Sequence, residues 1–92
     1  MTDTARRSVT IRNKLGLHAR AATKLAKLTQ QFDARVQVVQ DGREVDASSV
    51  MCLLLLASGQ GKQIDVIATG SDAEEAVAAV AALIEARFDE DQ

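Results

Sequence analysis

The chain has 92 residues, with 11 Lys+Arg against 13 Asp+Glu and a formal net charge of −2, which reads as one domain spanning 1–92. Without a basic excess, and with Phe32 and Phe88 as its only aromatics, it lacks the charge and the stacking surface of a nucleic-acid binder. One cysteine, Cys52, and one histidine, His18, exclude an internal disulfide and a cysteine-rich zinc site, so any chemistry is expected to be sparse and free of metal or cofactor.

Met1–Arg7 carries no apolar stretch behind its arginines, so no signal peptide is read and a cytoplasmic chain is expected. Ser8–Arg12 alternates polar and apolar residues and predicts a strand with one buried face. Asn13–Gly16 reads as a loop. From about Ala19 to Gln31 the spacing of Ala21, Leu25, Leu28 and Phe32 predicts a helix with one apolar stripe. Arg35–Gln40 alternates again, Asp41-Gly42 is a hairpin signal, and Arg43–Asp46 returns as a short strand. Ser48 or Ser49 caps a short helix over Val50–Ala57, a run too short to cross a bilayer, so no membrane insertion is expected. Ser58–Gly61 stops that helix, and Lys62–Ala68 is a fourth strand. Ser71 and Glu74 have capping-box spacing ahead of a last helix running to Arg87 or Phe88, with Ala73, Val77, Val80 and Ile84 on one face. Residues 89–92 read as a solvated acidic tail beyond a core of about 8–88.

The order β-α-β-β-α-β-α, with strands apolar on one face only, predicts an α+β open-faced sandwich. Its four-stranded antiparallel sheet would carry three helices on one side.

Reactive residues converge on Gly16-Leu17-His18-Ala19-Arg20-Ala21-Ala22. His18 stands at a helix start, where the backbone donors of Ala19 and Arg20 lack helical acceptors and the dipole is positive. An anion near His18 would meet those donors, and Arg20 adds a planar cation suited to phosphate. The same field favours a neutral, nucleophilic ring, which suits a histidine that accepts a phosphoryl group and gives it up. Lone histidines near helix starts more often serve as caps or surface residues; the loop, the helix and Arg20 together raise the sharper reading. No P-loop motif, acidic magnesium cluster or second histidine accompanies it.

Lys14–Ala22 resembles the active-site segment of HPr, the histidine-containing phosphocarrier family of the bacterial phosphotransferase system. Ala47-Ser48-Ser49-Val50-Met51, with the leucine run and Gly59-Gln60-Gly61, is similar to that family's regulatory-serine segment. The resemblance covers Ser8 to about Phe88. It implies that His18 is phosphorylated on Nδ1 by an enzyme I-type donor, itself charged from phosphoenolpyruvate, with Arg20 steadying the group. An enzyme IIA-type acceptor would then receive it. It also implies that Ser49 is a site for a dedicated kinase/phosphorylase in some branches. Where the family often has proline after the arginine, this chain has Ala21, which is similar both to the nitrogen-related NPr branch and to several proteobacterial carriers and so leaves the branch open.

A phosphate on Ser49 would suit the helix end while placing negative charge on the surface a partner approaches. Within the apolar run, Met51 and Leu54 are candidate docking residues together with Leu17. Leu53 and Leu56 are assigned to the core, and Cys52 is read as a small buried hydrophobe. Two rivals stand beside the sugar-linked carrier: a regulatory binding module of a nitrogen-type system without sugar transport, and a structural adaptor in which His18 is inert.

Overall fold

The two central strands bury alternate residues on one face, and the helices supply the apolar surface that this face requires. The computed structural model describes residues 3–56 and 58–90. Its elements are β1 (Asp3–Thr10), α1 (Ala19–Thr29), β2 (Arg35–Gln40), β3 (Arg43–Asp46), α2 (Val50–Leu56), β4 (Gln63–Gly70) and α3 (Ala73–Glu85). The sheet order is β1-β4-β2-β3, antiparallel throughout. Register pairs Ala5 with Ala68 and Val9 with Ile64, while Val36 faces Ala68 and Val38 faces Val66. These inward residues share one buried cluster with Ala21, Ala22 and Leu25 of α1, Leu53 and Leu56 of α2, and Val77, Val80 and Ile84 of α3. The open-faced sandwich is therefore the fold.

The Asp41-Gly42 turn has φ of 52° and 81°, positive at both positions, as a tight hairpin demands. Several local expectations shift. β1 begins at Asp3 and ends at Thr10, not at Ser8 and Arg12. Ala5 is the one apolar residue in its first half to reach the core, so Asp3–Arg7 has no alternation to read. Helix α1 ends at Thr29, and its buried face is Ala21, Ala22, Leu25, Ala26 and Thr29, leaving Leu28 and Phe32 half-buried. Cys52 is half-buried.

The capping box does not form. Ser71 Oγ donates instead to Asp33 Oδ2 at 2.6 Å, and the cap residue Asp72 accepts the Asp33 N–H at 2.7 Å. A tertiary tie to the loop before β2 has displaced the local motif.

The expected helix to Phe88 and free tail also give way. α3 stops at Glu85, and Arg87, Phe88 and Asp89 follow with φ of 59°, 53° and 64°. Left-handed backbone costs ordinary residues about 1–2 kcal/mol each. Complete burial of the Phe88 ring offsets part of that cost. The turn sends Glu90 back against α1, while residues 91 and 92 of the expected tail lie outside the described residues.

Asp65 on the open sheet face and Asp46 at the end of β3 both sit below the usual carboxylate range. For Asp65 the main cause is the Ser8 hydroxyl, followed by Arg6. For Asp46 it is the Ser48 hydroxyl and backbone N–H, against a smaller opposing effect of burial. A carboxylate depressed in the folded state contributes stability above its unfolded value, which is lost as pH falls through the folded one. Denaturant midpoints are expected to be flat from pH 7 to about 5 and to fall steadily below about pH 4.

Candidate functional site

The loop from Asn13 to Leu17 is fixed by the segment that follows α2. Leu17 N–H donates to the Ser58 carbonyl at 2.9 Å, and Gln60 Nε2 to the Arg12 carbonyl at 3.1 Å. Gly16 has φ of 65°, and a Cβ there would overlap the Ser58 carbonyl oxygen and press on Gly59 Cα. Both the dihedral and the contact require glycine. Gly16→Ala is expected to cost about 2–3 kcal/mol, read as a lowered denaturant midpoint.

Leu17 is buried beneath this loop, only 4% exposed, so it anchors the site and is not the docking residue that the sequence reading made it. His18 follows as the N-cap of α1, with extended backbone (φ −78°, ψ 177°) and a side chain that makes no capping bond. Its carbonyl accepts the Ala22 N–H at 2.8 Å, which begins the helical ladder. The N–H groups of Ala19, Arg20 and Ala21 therefore have no helical acceptor, and no acidic residue occupies the first turn.

Glu90, absent from the sequence reading of the site, completes it. Its Oε2 lies 2.5 Å from His18 Nε2 and 3.3 Å from Arg20 Nη2, and its Oε1 accepts Asn13 Nδ2 at 2.9 Å. Asn13 is fully buried and donates also to the Gly16 carbonyl at 2.8 Å, so it couples the loop to the C-terminal turn. Lys24 Nζ donates to the Phe88 carbonyl at 2.8 Å and holds the same turn onto α1. Burial pushes the Glu90 carboxyl up, but the bonds from Asn13, His18 and Arg20 outweigh it and hold the group below its ordinary value. An open cleft of about 300 Å³ is lined by Arg20, Lys24, Asp89 and Glu90. The signal for this arrangement in the sequence was Phe88, an aromatic placed just before acidic residues.

Ser49 caps α2, since its Oγ accepts the Cys52 N–H at 3.2 Å and its carbonyl the Leu53 N–H at 3.1 Å. Ser48 instead bonds Asp46. Along α2, Leu53 and Leu56 are buried, whereas Met51, Leu54 and Leu55 are exposed, as is Leu15 in the loop before His18. Helices α1 and α2 pack against each other. The sequence reading did not single out Leu15 or Leu55. No group of three His, Cys, Asp or Glu among the described residues could hold a metal ion, and no helix among them is long and apolar enough to cross a membrane.

Residues 5–86 match the family described as "PTS HPr component phosphorylation site". The chain belongs to the HPr family, the phosphocarriers of the phosphotransferase system. It is 54% identical over 84 residues to the phosphocarrier protein NPr of Shewanella violacea, covering 91% of this chain and 92% of that protein. With the NPr of Escherichia coli (strain K12) it shares 54% identity over 89 residues, 96% of this chain and 99% of the other. An HPr crystal structure from Thermoanaerobacter tengcongensis superposes with a TM-score of 0.91 at 35% identity, over 96% of this chain and 99% of that one.

Proposed function

We propose that this chain is a cytoplasmic phosphoryl relay of the nitrogen-related branch, not itself a catalyst. In this reading His18 Nδ1 takes the phosphoryl group from an enzyme I-type donor charged from phosphoenolpyruvate. It then passes the group to a histidine of an enzyme IIA-type acceptor. The observation that carries it is His18 as the cap of α1, beside the unsatisfied N–H groups of Ala19 and Arg20 and the Arg20 guanidinium. Such donors stabilise the charge on a phosphoryl group in a loose transition state, which is most of what a protein must supply. Transfer is a displacement: the Nδ1 lone pair forms a bond to phosphorus while the donor's bond breaks and the donor nitrogen keeps its pair. Relatives at 54% identity that carry the name NPr support the nitrogen-related branch over a sugar-transport role.

The exposed Met51 and Leu54, with Leu55 and Leu15, form the docking surface in this reading. Apolar contact area of that kind suits brief encounters of modest affinity. Ser49 is its regulatory position, open to a kinase. Ser49→Ala is expected to lose about 1 kcal/mol of stability through the cap. Ser49→Asp keeps a good cap residue, so it should retain the wild-type denaturant midpoint while slowing phosphorylation by the donor. A Ser49→Asp variant phosphorylated by the donor as fast as wild type would reduce Ser49 to a cap.

The relay is tested by incubating the chain with phosphoenolpyruvate and donor enzyme, then offering a nitrogen-type and a sugar-type acceptor. Acid-labile phosphate should map to His18 and move faster to the nitrogen-type acceptor. Preference for the sugar-type acceptor overturns the branch, and no phosphate on His18 overturns the relay.

A further inference from the structure

The C-terminal turn is built to deliver one carboxylate to one nitrogen of the His18 ring. Phe88 is fully buried, the Glu90 N–H donates to the Arg87 carbonyl at 2.9 Å, and Lys24 holds the Phe88 carbonyl. The Glu90 side chain is only 12% exposed, and Asn13 and Arg20 fix its two oxygens at the distances given above. We infer that Glu90 is a positioning residue for the relay: it holds the proton on His18 Nε2 through the whole cycle, reserving the Nδ1 lone pair for phosphorus. This inference rests on the relay proposed above and adds a role for a residue outside the Gly16–Ala22 motif.

A neutral imidazole has one N–H and one lone pair, and the partner of one nitrogen decides which is which. A carboxylate at Nε2 accepts that N–H, so the lone pair sits on Nδ1. When Nδ1 bonds phosphorus, the ring carries a positive charge with its proton still on Nε2, and the carboxylate at that edge compensates it. On transfer the N–P bond breaks, its electron pair returns to Nδ1, and the ring departs as neutral imidazole. No proton is exchanged and no co-reactant is required. Without the Nε2 proton the leaving group would be an imidazolate, a far poorer one. The carboxylate and the phosphoryl group occupy opposite edges of the ring, so they do not compete for one nitrogen.

The charged groups around Glu90 are Arg20 and Lys24 from α1, Asp89 from its own turn, and Arg12, Glu85 and Arg87 along the neighbouring cleft. With Asn13, they surround an ionised carboxylate.

The test uses the full chain with Glu90→Gln and Glu90→Ala, the second guarding against an amide that still accepts the ring proton. Ring ¹⁵N spectra of unphosphorylated His18 report the tautomer, and transfer to acceptor is followed against pH. Wild type should hold the Nε2–H form and keep its transfer rate into alkaline pH. In Glu90→Ala the Nδ1–H form should grow, and in both variants the alkaline fall in rate should begin about one pH unit lower. Backbone amide spectra away from the turn should not change. An alkaline limb unmoved in both variants overturns the role of Glu90 and leaves the relay standing. A wild-type chain that takes no phosphate overturns both.

Discussion

His18→Ala leaves a folded protein that takes up no acid-labile phosphate, a loss of at least about 10³-fold in labelling rate. The stability cost is expected to be about 1 kcal/mol, from the lost bond to Glu90; the His18 side chain makes no bond to the helix it caps, and alanine retains the carbonyl that starts the ladder. A modestly lowered denaturant midpoint would therefore accompany complete loss of labelling. The sequence contains no second histidine to take the group over. Labelling that survives in the variant would move the phosphate to a serine or an acidic residue and remove His18 from the relay. Acid and alkali stability of the bond would tell which.

Phe88→Ala is expected to cost about 3–5 kcal/mol, a large share of the stability of so small a domain. Phe88 is fully buried and is the largest such side chain in the described chain, so its removal leaves a cavity among the apolar residues that α3 and α1 bring together. The left-handed backbone at Arg87, Phe88 and Asp89 then loses the burial that holds it. Glu90 would leave His18 with the turn. Chemical denaturation should show the lost stability, and the His18 ring resonances should move toward those of Glu90→Ala. If the denaturant midpoint falls while the His18 resonances remain as in wild type, the turn is held by Asn13 and Lys24 alone.

Much of the fold was legible because its determinants are periodic. Arg35–Gln40, the Asp41-Gly42 turn and Arg43–Asp46 lie where alternation and turn chemistry put them. Helix α3 buries the face that Ala73, Val77, Val80 and Ile84 announce. In the site, the N-cap position of His18 and the nearness of Arg20 could be read from their spacing to Gly16 and to the helix. The misreadings have a common cause. Ser71 and Glu74 have the right spacing for a capping box, yet Asp33, distant in sequence, captures Ser71 and Asp72. Leu17 sits beside His18, but the direction in which the loop turns buries it.

By itself, the sequence determined the periodic elements, the one-sided sheet and the place of its single histidine at a helix start. Alternation, helical spacing and a unique histidine act within a few residues of each other. Only the tertiary structure decided what surrounds that histidine. Glu90 reaches Nε2 from 72 positions away through a left-handed turn that no local propensity favours and that burial of Phe88 sustains. Ser58 fixes Gly16 across a gap that no alternation or helical spacing encodes. Contacts of that kind depend on how the chain closes on itself, so the composition that left room for a single imidazole could not show the carboxylate that meets it.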